Sequence, residues 1–178
     1  MAFRIVNLNQ NDGSWKSFRE NWEQQCEQLD ENPDSYAPDA FSAIRTCLET
    51  PVMQSSDRKS QAVSLVDSDE QHMVAAVLHW HPAPGVKGHI LKVRQLTVCP
   101  RLDFGELDED FYADVLVELT SRVYKLSENE LPATEIRFHL RSPADKVYFA
   151  AFGKKIDGEN VFEQVKHHGA WLHIVKRT

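Results

Sequence analysis

Between His89 and Val98 the sequence reads HILKVRQLTV, and the parity of its apolar residues changes part-way along. Leu91 and Val93 share one parity, whereas Leu96 and Val98 share the other. Alternate residues of a strand face opposite sides of a sheet, so the switch predicts a β-bulge near Arg94-Gln95, where one extra residue re-aims everything after it. Such a strand needs neighbours on both sides, and the preceding segment supplies one. From Gln61 the period is that of a strand, residues 62–66 reading AVSLV, Asp67-Ser68-Asp69-Glu70 is turn chemistry, and HMVAAVLHWH follows as a nearly all-apolar strand, predicted to be central and covered on both faces. After the bulged strand come Pro100, a short loop and a long helix starting near 106–108, with Phe111, Val115, Leu119, Val123 and Leu126 as its buried stripe.

The rest of the chain completes one mixed sheet. Phe3, Ile5 and Leu8 predict a short first strand. Ser14 is placed to cap a helix striped by Trp15, Phe18, Trp22, Cys26 and Leu29. Asn32-Pro33-Asp34 breaks it, and a second helix carries Phe41, Ile44, Cys47 and Leu48 up to Pro51. Downstream, TEIRFHL is a strand with Ile136, Phe138 and Leu140 inward and Arg137, His139 and Arg141 outward. Ser142 and Pro143 open another helix that stops at Gly153, and NVFEQVK and AWLHIVK flank His167-His168-Gly169 as a closing hairpin. The expectation is an α/β mixed-sheet domain spanning residues 1–178, in the order β-α-α-β-β-β-α-β-α-β-β, with a β-bulge in strand 4. The four tryptophans, Trp15, Trp22, Trp80 and Trp171, fall on apolar faces and are expected in the core.

Composition narrows the function classes. A net charge of −7 argues against nucleic acid or an anionic membrane surface as the main partner. No apolar run approaches membrane-spanning length, and the polar N-terminus does not read as a signal peptide. Cys26, Cys47 and Cys99 are odd in number and widely spaced, which fits reduced thiols in the cytoplasm. His79 and His81 share a strand face, with His139 on another strand, but no third metal ligand is fixed by spacing and no metal is expected.

This element order resembles that of the GNAT superfamily of acyl-CoA N-acyltransferases over nearly the whole chain. Three local features carry the resemblance: the bulged strand ending in Leu96-x-Val98-x-Pro100, the long helix after it, and the late Tyr148-Phe149-x-x-x-Gly153 followed by a hairpin. It implies that strands 4 and 5 splay apart and that acetyl-CoA or a longer acyl-CoA lies in the gap, its pantetheine pairing with the backbone of Leu96 and Val98. The family's pyrophosphate loop, Q/R-x-x-G-x-G/A, is replaced by Arg101-Leu102-Asp103-Phe104-Gly105-Glu106, leaving Arg101 and the single Gly105 as the candidate anion contacts. Acids at Glu106, Asp108, Glu109 and Asp110 complement the following helix dipole and repel a pyrophosphate.

The positions of the family's catalytic groups also differ. Phe149 stands where many members carry a general-acid Tyr, with Tyr148 one residue earlier. Arg94 and Gln95 occupy the site of the strand-4 acid, and neither is a base at neutral pH. His139, an imidazole of ordinary pKa about 6.5, and Tyr148 are therefore the proton-transfer candidates, and Arg94 and Arg137 the candidates for holding an anionic group. Alternation alone also explains Arg137 and His139 as a solvent face. Three functions remain: an acyltransferase with an atypical cofactor loop and unknown acceptor; a non-catalytic GNAT-fold module that binds a small acid or a protein partner or forms a homodimer; and a different α+β enzyme with a histidine metal site. Phe138 or Phe104 filling the gap would favour the second.

Overall fold

A computed structural model describes residues 2–50, 57–104, 109–140, 149 and 162–177. Its strands are β1 (Arg4–Asn7), β2 (Lys59–Val66), β3 (His72–Pro82), β4 (His89–Val98), β5 (Glu135–His139), β6 (Phe162–His168) and β7 (Trp171–Lys176). The helices are α1 (Ser14–Gln28), α2 (Pro38–Glu49), the single turn α3 (Pro100–Asp103) and α4 (Glu109–Glu128). All seven strands join one sheet in the order β1-β2-β3-β4-β5-β7-β6, antiparallel except for the β4–β5 pair. α1 and α2 lie against one face and α4 against the other, which explains why β3 is buried on both sides.

The parity switch is a bulge. Ala75 faces Thr97 and Val77 faces Arg94, so β4 uses one residue more than β3 over the interval, and Gln95 takes a left-handed φ of 52°. The α1 stripe docks as expected, with Phe18, Trp22 and Cys26 buried, and the Trp22 indole N–H donates to the His72 carbonyl at 2.6 Å. Ile44 of α2 and Val115, Leu119 and Val123 of α4 are fully buried with Leu78, Leu91 and Ile136.

Several local expectations change. Gly13, not Ser14, precedes the first turn of α1, and the Ser14 hydroxyl ties the incoming loop to Asp12 and Asn7. β2 starts two residues early, at Lys59, because Lys59 and Ser60 still pair with Trp80 and His79. His167 and His168 belong to β6; the turn is Gly169-Ala170, with φ of 61° at the glycine. The late helix predicted from Ser142 to Gly153 lies outside the described residues apart from Phe149, as do Tyr148 and Gly105.

Candidate functional site

The sheet opens where the bulge sits. Pairing between β4 and β5 runs from Ile90–Glu135 to Val93–Phe138 and stops, while β4 continues to Val98. Beyond that point, among the described residues, β4 has a strand partner on its β3 side alone. The Cys99 amide donates to the Met73 carbonyl, which makes Val74–Val98 a non-hydrogen-bonded pair and turns the Val98 amide and carbonyl away from β3, toward the opening. The side chains of Leu96 and Val98 are buried. One opening-facing acceptor is already engaged, because the Tyr36 hydroxyl donates to the Val98 carbonyl at 2.7 Å. Burial first, then the charge of Asp103, raises the Tyr36 phenol above its ordinary value, so it remains a donor at any working pH. Phe138 is fully buried, its ring 5.3 Å from that of Phe149, whereas Phe104 is 47% exposed and leans on Tyr36 at the rim.

Past Val98 the chain turns into α3. The amides of Leu102 and Asp103 donate to the Cys99 carbonyl and that of Phe104 to the Pro100 carbonyl, while the Arg101 amide lies 3.5 Å from Gln25 Oε1. These four amides therefore have protein acceptors, and they do not form the inward-pointing cradle that a pyrophosphate needs. The unpaired β4 backbone, apart from the Val98 carbonyl, is an edge of the kind a pantetheine arm pairs with; the backbone amides of residues 101–104 do not fit the phosphates, which leaves the Arg101 side chain as the candidate contact there. Arg101 is half-buried at the head of this turn.

The other side of the opening is basic. Residues paired across strands project to the same face, and the register aligns Ser60, His79, Lys92, Arg137, His173 and Lys166 on six successive strands. At a strand spacing of about 4.8 Å this row spans roughly 24 Å. Its centre is neutralised: Glu135, two residues before Arg137, accepts from Arg137 Nε at 2.9 Å and Nη2 at 2.8 Å, and lies 2.7 Å from His173 Nδ1. Burial alone would raise the Glu135 carboxyl, but Arg137 and then His173 outweigh it and hold it below the usual range. Burial holds the His173 ring below an ordinary imidazole against the upward pull of Glu135. His79 Nδ1 is 2.7 Å from Ser60 Oγ, and burial together with Arg94, His81 and Lys92 pushes its pKa down to about 4.

One step further along the strands, at the opening, Trp171 is half-buried rather than in the core. Lys92 Nζ lies 5.7 Å and Arg94 Cζ 5.9 Å from its ring centroid, and the His139 ring packs at 4.6 Å. The indole face offsets about 0.5–1 kcal/mol of each cation's cost, less than a buried ion pair would.

No family model matches the chain, and no curated protein matches it significantly. Among solved structures, an aminoglycoside acetyltransferase from an uncultured soil metagenomic sample superposes over 94% of this chain and 97% of its own with a TM-score of 0.50, at 13% identity. The chain has a GNAT-like fold. A spermidine N-acetyltransferase from Vibrio cholerae, solved with CoA and spermine, is similar at 11% identity over 98% of this chain and 95% of its own, with a TM-score of 0.47. A GNAT-family acetyltransferase from Staphylococcus aureus is similar at 9% identity over 99% and 100%, with a TM-score of 0.42.

Within the GNAT-like fold, the structure gathers Arg94, His139, Leu96 and Val98 around the end of the β4–β5 pairing, with Arg137 behind them and tied to Glu135. His139 and His79 are separated by β4, so the histidines do not share adjacent strands, and among the described residues no group of three metal-ligating side chains occurs. Lys92, Trp171, Glu135 and His173 are the site residues that the sequence reading passes over. Parity could have found Trp171: in AWLHIVK, Leu172 and Ile174 are buried, which puts Trp171 with His173 on the polar face. Among the described residues no helix is long and apolar enough to cross a membrane.

Proposed function

We propose that the protein is an acyl-CoA-dependent N-acyltransferase with an atypical cofactor loop. The observation that carries this reading is the opening itself: β4–β5 pairing ends beside the Gln95 bulge and leaves the Val98 backbone facing the gap. In this proposal the backbone of Leu96 and Val98 holds the pantetheine, and Arg101 with Gly105 contacts the phosphates. The bound acyl-CoA supplies the activated acyl group. His139 would take the proton of the acceptor amine and Tyr148 would supply one for the departing thiolate, while Arg94 and Arg137 would hold an anionic part of the substrate. Arg137 acts there through its second-row position, since Glu135 already accepts from it.

A second reading, a non-catalytic GNAT-fold ligand-binding or interaction module, is favoured by a different observation. Tyr36 occupies the Val98 carbonyl, and the amides of residues 101–104 are internally bonded. Isothermal titration with acetyl-CoA and longer acyl-CoAs separates the cofactor premise from its absence; no heat at millimolar ligand removes it. Where acyl-CoA binds, an amine screen decides the rest: transfer abolished by His139→Ala or Tyr148→Phe supports the enzyme, and binding without transfer to any amine supports the module.

A further inference from the structure

We infer that the molecule recognised at the β4–β5 opening carries an anionic oxygen group, a carboxylate or a phosphate, held by Lys92 and Arg94 above the indole of Trp171. As a statement about the acceptor's class this rests on the acyltransferase reading; the anion site itself does not. Lys92 and Arg94 stand two residues apart on β4, on the same face because the bulge comes after them, and both cationic groups lie within 6 Å of the Trp171 centroid. Neither forms an ion pair among the described residues, in a chain whose acids outnumber its Lys and Arg by seven. Glu135, the acid beside this row, is committed to Arg137 and His173. Arg137 is thus compensated, whereas Lys92 and Arg94 are left facing each other.

Their environment records the imbalance. Burial, then the charges of Arg137 and Arg94, lower the Lys92 ammonium below an ordinary lysine, and His79 behind them is kept neutral. An anion relieves that repulsion, and the indole gives the carbon part of such a ligand a flat apolar surface. The position suits an acceptor: Arg94 immediately precedes Gln95, and Leu96 and Val98 follow at the opening, so a molecule held by its acid group has its other end directed toward the gap. A polyamine would meet like charge here.

The test is a tryptophan-fluorescence titration of the full chain with matched pairs that differ only in the anionic group, 4-aminobutanoate against 4-aminobutanamide and O-phosphoethanolamine against ethanolamine, with 1,4-diaminobutane as the cation. At least one acid is expected to bind about tenfold more tightly than its partner without the anionic group, and which acid does so distinguishes carboxylate from phosphate. Arg94→Gln and Lys92→Gln should each weaken that acid about tenfold, Arg94→Lys should recover part of the loss, and Trp171→Phe should remove the optical signal. Circular dichroism checks that the variants fold, which the partial exposure of both side chains favours. Equal binding with and without the anionic group, no binding of either acid at millimolar concentration, or unchanged affinity in both Gln variants overturns the inference. Acid binding without transfer to any amine defeats the acyltransferase reading and leaves the anion site standing. Acyl transfer that prefers neutral amines over their acidic partners does the reverse.

Discussion

His72 makes the stability of this fold depend on pH in a calculable way. Its ring is 5% exposed, edge-on to Phe18, with Nδ1 2.9 Å from Ser64 Oγ. The Ser64 hydroxyl donates its own proton to the Val74 carbonyl, so at Nδ1 the imidazole must be the donor, and the neutral Nδ1–H tautomer satisfies the pair without a charge. Burial, and secondarily Arg4, push the His72 pKa down to about 4, and His79 is likewise down at about 4. In the unfolded chain both return to about 6.5. A histidine whose folded pKa is depressed binds its proton preferentially in the unfolded state. The stability it contributes is therefore full above pH 6.5 and drains away as the pH falls toward 4. Near pH 5.5 each such group takes up about 0.9 proton on unfolding, a slope of about 1.2 kcal/mol per pH unit. From pH 7 to 5 the pair removes roughly 3 kcal/mol, His79 counting for less because it is half-exposed. That is a large share of the 5–15 kcal/mol typical of a domain.

The assay is urea unfolding followed by far-ultraviolet circular dichroism at several pH values between about 5 and 7. The variant is His72→Asn, whose amide keeps a donor toward Ser64 and cannot titrate. Its absolute stability will drop, but the readout is the slope, which should fall by about 0.9 proton relative to the parent while every other group cancels. Parallel pH dependences in the two proteins would refute the reasoning, since they would mean that His72 is as easily protonated folded as unfolded.

Two further outcomes follow from named contacts. Glu135→Gln leaves Arg137 and His173 facing a neutral amide in a site where the carboxylate is 8% exposed, and should lower stability by about 3 kcal/mol in thermal or urea unfolding at pH 7. Ala37→Gly acts in the opposite direction: Ala37 enters α2 with φ of 47°, a left-handed conformation that costs a non-glycine residue about 1 kcal/mol, so the glycine variant should melt at the same or a higher temperature.

The fold was legible because its decisive signals are periodic. The parity switch after Val93 located the bulge, and the stripe Val115, Leu119, Val123 located α4, since both depend on which face each residue presents. The polar side of the opening was half legible. Alternation placed Arg137 and His139 together, but nothing in one strand says which strand lies next to it, and β7 inserts between β5 and β6. That insertion brings Trp171 and His173 beside His139 and Arg137, so an aromatic expected in the core becomes the floor of a basic surface. Tyr36 was silent for a similar reason. Its contact with Val98 spans sixty-two residues and needs the α1–α2 connection to fold back over the end of β4.

The four-residue β4–β5 seam also bears on how the chain reaches this structure. β1 to β4 are linked by antiparallel pairings, two of them across short turns, whereas the seam joins Ile90 to Glu135 and must close a loop of forty-five residues. Loop entropy makes that closure roughly 2 kcal/mol costlier than a five-residue turn, and only four residue pairs repay it directly. The order of assembly implied is a β2–β3–β4 core that forms early on local contacts, with β5 and the β6–β7 hairpin docking later as a second block. The two blocks of the sheet then meet at this four-pair parallel seam, beside the only stretch of β4 left without a second neighbour among the described residues. Whatever occupies that stretch spans the join, and its binding is felt by both halves of the protein at once.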